Sequence, residues 1–297
     1  MTTDDRAQSV DATSAGGVGT QGVGSASAET HPRSPRQDPQ PGPPDPWRSL
    51  LALSGRETLR VSKLWTQTIL APVVASFLFI LVFGLSLGTR IREFEGYPYE
   101  VFIVPGLIAM AMAQAAFSNN SSSILQARND RYINDVLAAP MRSWQMNLGL
   151  TIGGVYRALV IGAALMALAI PLTGVPVERA PALAVAVILL VTLFAALGTV
   201  VGIYAKSFDH HSFVNNILIL PLTFLGGVFY SIEILPPFWE AVSHANPLFY
   251  MVNAVRYGFL GTSDVSVALS FAVTAAMAAA VVAWAQWLFV TGRKLKP

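Results

Sequence analysis

The sequence predicts an all-α integral membrane protein with six transmembrane helices, and three observations lead there. Of its 297 residues, 53% are hydrophobic and only 12% charged, whereas a soluble domain carries about a quarter charged residues. The shortage of charge is concentrated in windows of roughly 20 residues, the length that crosses a bilayer as a helix. Lys and Arg collect on alternate connections between those windows, the asymmetry that orients a chain in a membrane.

Residues 1–46 are different material. "VGTQGVGSASAETHPRSPRQDPQPGPPDP" is rich in Gly, Ser, Pro and Gln, and without aliphatic clusters it buries too little to offset the entropy of ordering. It lacks the basic start and short apolar core of a secretory signal, so the expectation is a disordered cytoplasmic tail. Segment 47–65, "WRSLLALSGRETLRVSKLW", is too polar to span. Arg56, Arg60 and Lys63 share one helical face, while Leu50, Leu51, Val61, Leu64 and Trp65 can face lipid. That pattern suits an amphipathic helix lying on the inner surface; an ordinary juxtamembrane linker is the competing reading.

The transmembrane domain then occupies 66–297. Its expected spans are about 67–88, about 101–123 (closing on the polar run "SNNSSS"), one within 145–174, one within 181–205, a fifth from near 213, and a sixth at about 265–290. With the N-terminus inside, the inner segments hold Arg48, Arg56, Arg60, Lys63, Arg128, Arg131, Arg142, Lys206, Arg293, Lys294 and Lys296. The outer segments hold only Arg90, Arg92, Arg179 and Arg256. The expectation is a multi-pass plasma-membrane protein with both termini cytoplasmic.

Between the fifth and sixth spans the pattern breaks down. The run from Ile217 to Tyr230 contains Pro221 and the pair Gly226-Gly227, then meets Glu233, Pro236 and Pro237. "PLFYMVNAVRYGFLG" (247–261) is short and carries Asn253 and Arg256. A spanning segment must satisfy its own backbone, and broken helices survive only where protein or water covers them. Residues 232–262 therefore read as an extracellular re-entrant helical hairpin in the outer leaflet. Phe229, Tyr230, Phe238, Trp239, Phe249 and Tyr250 are placed at the outer interface, where amphipathic rings are favoured.

Several chemistries have no sequence support. There is no cysteine, hence no thiolate nucleophile, disulfide or thiolate metal site. No GxxxxGK[ST] loop, HExxH pair or GxSxG elbow occurs, so neither a nucleotide site of that kind nor a catalytic constellation is expected on this chain. Adjacent His210 and His211, with Asp209, read as a solvated inner loop rather than a metal site. A net charge of +2 and a pI near 9.0 give no footprint for nucleic acid. Arg157 is the one basic residue well inside an apolar window, where charge points to function by default. Its long stem also permits snorkelling to the inner headgroups.

One inner loop stands out. "RNDRYINDVLAAP" (128–140) sets Arg128, Asp130, Arg131 and Asp135 around a helix-capable patch that stops at Pro140. Together with "YEVFIVPGLIAMAM" (99–112), "INDVLAAPM" (133–141) and "PLTFLGGVFYSIEILPPFWEAVSHANPLFYMVNAVRYGFLG" (221–261), it resembles the signature of ABC-2 type transporter permeases. The likeness covers about 47–297. It is especially similar to the YadH-like inner-membrane permeases, and more loosely to daunorubicin-export and nodulation-factor permeases.

The resemblance implies a six-helix half-transporter that pairs into a dimer, with two separate ATPase subunits docked below and ATP and Mg held there rather than on this chain. It implies that 128–140 is a coupling helix. Its complementary charges, Arg128, Arg131 and Asp135 among them, would fix register against the ATPase, Ile133, Val136 and Leu137 would anchor it, and Asn134 belongs to the same coupling set. Related chains often carry two acidic residues where this one has Asn134 and Asp135. The hairpin would cap the exit for an amphipathic substrate (drug, lipid or glycolipid), with Glu233, Trp239, Tyr250 and Arg256 as the residues concerned. A polysaccharide or lipid-linked glycan channel is the alternative within transport. A non-transporting scaffold or sensor is the alternative outside it.

Overall fold

The computed structural model describes residues 45–88, 96–139 and 141–295, with the side chains of 85–88 and of Glu233 also outside the description. The expected tail, 1–46, lies outside the described residues apart from Asp45 and Pro46. So do Arg90, Arg92, Pro140 and Lys296, which the orientation and the loop boundary drew on.

The regular elements among the described residues are all helical. Helix α1 (Pro46–Lys63) opens on Asp45, whose carboxylate accepts the amide of Trp47 at 3.0 Å, and on Pro46, whose missing N–H costs nothing at a helix start. A π-helical turn, Thr66–Leu70, leads into α2 (Ala71–Gly88). Then follow α3 (Tyr99–Asn129), α4 (Ile133–Ala138), α5 (Ser143–Thr173) and α6 (Ala180–Tyr204). α5 ends at Gly174, whose left-handed φ of 70° lets its amide return to Ile170. Helix α7 (Phe208–Phe213), a second π-helical segment (Val214–Ile219) and α8 (Leu220–Phe224) run on without a break. A 3₁₀ turn at Ile232–Ile234, α9 (Pro237–Ala245), α10 (Pro247–Leu260) and α11 (Val267–Thr291) complete the chain.

Among the described residues five helices are long and apolar enough to cross a membrane: Thr66–Gly84, α3, α5, α6 and α11. Their limits follow the apolar windows of the sequence except in α3, which runs past the expected end near 123 to Asn129 and takes in Arg128. The stretch expected to begin a fifth span near 213 is instead assembled from three short pieces. Pro221 has no amide to continue an α-helical register, and the chain passes through the π-helical turn just before it.

Helix α3 is the centre of the bundle: 24 of its 31 residues are buried, which is the condition of a helix apolar on every side. α5 and α6 pack along it. Close approach is possible because small residues face the contacts, the device that lets membrane helices meet backbone to backbone. A methyl group on Gly198 of α6 would run into the carbonyl of Phe117, and one on Gly202 would lie 2.8 Å from that of Ser121. Replacing Gly198 with leucine is therefore expected to separate α3 from α6 and cost about 1–3 kcal/mol or more through overpacking. A lowered thermal midpoint in detergent checks this, and an unchanged midpoint would mean that the two helices are not in contact there.

Two apolar clusters organise the bundle. The larger runs along α2, α3, α5, α6 and α10. The smaller gathers Leu53, Ile124, Val136, Met146, Leu150, Ile203 and Leu288 at the end where α3 stops and α5 begins. That end carries α1 and α4. The opposite end carries the 225–266 region, tied down by amides of Glu178 and Arg179 donating to the carbonyls of Phe259 and Gly258.

Candidate functional site

The α4 end is built from the α3–α4 turn upward. Arg128 turns back: its Nη1 donates to the carbonyls of Ile203 and Ala205, both at 2.8 Å. Those carbonyls close α6, where helices leave oxygens without partners and favour a cation. Arg128 thus caps α6 instead of facing outward. Arg131 sits in the left-handed region, φ 62°, a strain of roughly 1 kcal/mol for a residue with a Cβ, and this sharp turn starts α4.

Within α4 the faces divide. Ile133 and Val136 are buried in the smaller cluster, and Leu137 packs partly against it. This corrects the expected apolar anchor at Ile133 and Val136, which hold α4 to its own bundle, while Leu137 stays half-exposed. Arg131, Asn134 and Asp135 are exposed, so the face open to a partner is polar.

Helix α1 braces this platform. The Arg56 guanidinium lies 3.9 Å from the ring centre of Tyr132, the residue before α4. Burial first, then the nearby Glu57 charge, holds the Tyr132 phenol above its usual range and neutral. Leu50, Leu53, Glu57 and Val61 form the buried stripe of α1. The expectation that Leu50 and Val61 face lipid is thereby corrected: Leu51, Leu64 and Trp65 remain exposed, while Leu50 and Val61 pack inward.

Glu57 is fully buried. Its Oε2 accepts from Arg60 Nη2 at 2.9 Å, Arg60 Nε at 3.2 Å and Ser123 Oγ at 2.8 Å. Gly153 makes the room, since a methyl there would meet the Glu57 Cβ at 2.8 Å. Arg60 reaches Asn119 Oδ1 at 3.2 Å, and Asn119 Nδ2 donates to Asn120 Oδ1 at 3.3 Å. Asn120 in turn donates to the Ala195 carbonyl and to Thr199 Oγ1. A continuous polar chain thus joins α1 through α3 to α6. The sequence reading missed it, although the signal was present: Glu57 is the only acid in α1, three residues before Arg60.

At the other end, α10 is not at a surface. Eleven of its fourteen residues are buried, including Phe249, which the sequence reading placed at an outer interface. Tyr250 is half-buried and its hydroxyl donates to the His244 carbonyl at 3.0 Å. Trp239 and Phe238 of α9 are exposed. The Glu233 side chain lies outside the described residues. Arg256 is fully buried with its guanidinium 4.1 Å above Phe102. It donates Nη2 to the Gly227 carbonyl at 2.6 Å and faces Asp264, equally buried, at 3.5 Å. Asp264 also escaped the sequence reading, because it lies in a polar loop eight residues beyond Arg256 with no periodicity to mark it.

Arg157 donates Nε to the carbonyl of Thr68, in the first π-helical turn, at 2.8 Å. His211 is half-buried rather than solvated: its Nδ1 is 2.8 Å from Ser121 Oγ and its ring stacks on Phe117. Among the described residues no group of three His, Asp or Glu could hold a metal.

Apolar helices around a buried central one, with a short polar-faced helix at one end, define an integral membrane protein of the helical-bundle class. The chain belongs to the ABC-2 type transporter family, which residues 48–260 match. It is similar to the inner membrane transport permease YadH of Escherichia coli (strain K12), with 38% identity over 227 residues, 76% of this chain and 89% of that one. It is also similar to nodulation protein J of Sinorhizobium fredii (strain NBRC 101917 / NGR234), with 25% identity over 229 residues, 76% of this chain and 87% of that one. Nodulation protein J of Rhizobium leguminosarum bv. viciae shares 26% over 225 residues, 75% and 86% of the two chains.

Proposed function

We propose that this chain is the membrane subunit of an ATP-driven exporter in the plasma membrane, moving an amphipathic substrate outward with ATP hydrolysed, with Mg, on a separate ABC ATPase. Membership of the ABC-2 family carries this reading. The position of α4 supports it, since a short helix wedged on the bundle core with only its polar face free is suited to receive a thrust and pass it inward. The segment from α7 to α8 then counts as a sixth crossing. Both termini and α4 face the cytoplasm, α1 lies at the inner interface, and α9–α10 form the outer hairpin, α9 exposed and α10 packed within the bundle. Two copies pair, each over one ATPase.

The docking face on this reading is Arg131, Asn134 and Asp135, complementary in charge to its partner so that register is set on encounter. These side chains are exposed, so changing them spares the core. Asn134→Ala with Asp135→Lys is expected to leave membrane insertion and the thermal midpoint as they are. Co-purification with the ATPase should be lost, and substrate-stimulated ATP hydrolysis in reconstituted vesicles should fall at least tenfold. Undiminished stimulation would remove α4 from the coupling path.

A further inference from the structure

The cavity beside Arg157 has the layout of a headgroup site. Of about 240 Å³, it lies between α2, α3, α5 and the second π-helical segment. That is below the roughly 300–1,000 Å³ of sites for drug-sized ligands, and suits a small polar head. Its walls are mixed. Arg157, Ser118, Gln114 and Asn215 present polar groups, and α2 and α3 add Pro72, Ser76, Phe79, Met110 and alanines. Thr68, which takes the Arg157 Nε, lies in the first turn of the first apolar stretch, the depth at which a lipid headgroup would meet the bundle.

The polar wall has capacity to spare. A guanidinium carries five N–H donors, and Arg157 spends one on Thr68, with no carboxylate within ion-pair distance among the described residues. Arg60, within its electrostatic reach, is already answered by Glu57. Gln114 Nε2, a donor, is buried with no hydrogen-bond partner, and such a group is costly unless an acceptor meets it. Both walls adjoin π-helical turns, features that recur at functional sites. A shallow apolar depression on the exposed face of α2 shares Ala75 and Phe79 with the cavity and is otherwise formed by Leu78, Val82 and Phe83. It extends the site with a purely apolar track along α2.

We infer that this cavity and the apolar surface of α2 beside it together bind an anionic amphiphile, its phosphate or carboxylate on Arg157 and Gln114 and its alkyl chain along Phe79, Val82 and Phe83. An oxyanion matches the planar guanidinium in a way a neutral head cannot. The inference rests on the reading of the chain as an export permease and names the substrate class for it: the charge to be moved is negative and enters from the α4 side.

The test needs no ATPase, so it separates this site from the transport reading. The full chain in phosphatidylcholine nanodiscs is titrated with a photoactivatable dodecyl phosphate and, in parallel, with the corresponding neutral alcohol. Labelled peptides are mapped by mass spectrometry. Saturable labelling of 75–83 and 110–118 is expected, at least tenfold tighter for the phosphate than for the alcohol. Arg157→Gln should remove that preference, Arg157→Lys should keep part of it, and Gln114→Leu, which touches no existing bond, should weaken it several-fold. Equal labelling by the alcohol, or an undiminished preference in the folded Arg157→Gln and Gln114→Leu variants, overturns the proposal. Displacement of the alkyl phosphate by inorganic phosphate at equal concentration overturns it in favour of a free-anion site. Labelling as expected leaves the site standing whatever the co-purification and hydrolysis assays on the α4 face return, so failure of the one reading is told apart from failure of the other.

Discussion

Asp264→Ala is expected to be the most damaging single replacement at the end of the bundle remote from α4, lowering stability by about 3–5 kcal/mol. The two charges of the Arg256–Asp264 pair are fully buried at 3.5 Å. Removing the carboxylate takes away the counter-charge at that distance and leaves the guanidinium in low dielectric. Alanine also breaks nothing else that is strong, since the Asp264 amide keeps its bond to Asn253 Oδ1. With about 2–4 °C per kcal/mol for a chain of this size, the thermal midpoint in detergent should fall by roughly 6–20 °C at fixed scan rate. Arg256→Met combined with Asp264→Leu should lose much less than either change alone, because an apolar pair removes the desolvation cost along with the attraction. A single variant with the parental midpoint would show that the pair contributes nothing.

That pair also shows where a sequence stops being informative. The window limits of α2, α3, α5, α6 and α11 were legible because apolar runs close on polar, Gly or Pro residues, and backbone satisfaction in a bilayer leaves few ways to arrange such a run. Which helix is central was not legible. α3 and α11 differ little as apolar strings, yet a window of one is 89% buried and of the other 17%. Lipid tails and leucine side chains are equally apolar, so hydropathy does not tell a protein-facing surface from a lipid-facing one. What marks α3 is subtler: its Asn119, Asn120 and Ser123 find partners, and glycines on α5 and α6 yield to its backbone.

Single charges misled for a related reason. Arg256 read as an outer-segment charge of the hairpin, without its partner, because its counter-ion stands in a separate loop. Arg128 read as a contact for a partner because the carbonyls it caps belong to α6, some 75 residues on. Of the expected coupling set Arg131, Asn134 and Asp135 are exposed, Arg128 and Leu137 are half-buried, and Ile133 and Val136 are buried. In a six-residue helix, helical spacing does not decide which face the bundle will claim. Ile133 and Val136 went inward because Met146 and Leu288 were there to receive them.

Glu57 is the second residue whose loss should be felt widely, and its effect should differ from that of Asp264. Its partner Arg60 is partly exposed, 26% against 0% for Glu57, so once the carboxylate is gone the guanidinium can regain some hydration. The cost of Glu57→Ala is therefore placed at about 2–3 kcal/mol, the range for hydrogen bonds to a charged group plus part of a broken buried pair. Glu57→Gln retains a carbonyl for Ser123 and Arg60 and should cost about half that. The location of the damage is the sharper test. Glu57 ties α1 to α3 at Ser123, and α1 in turn covers Tyr132 with Arg56. Amide hydrogen exchange in Glu57→Ala should therefore quicken in 46–63 and 130–138 while α6 and α11 keep their protection. Exchange that rises uniformly would mean a general loss of stability, and the brace from α1 to α4 would not exist. Quickening confined to those two segments would show that α4 is held in place by a carboxylate on α1.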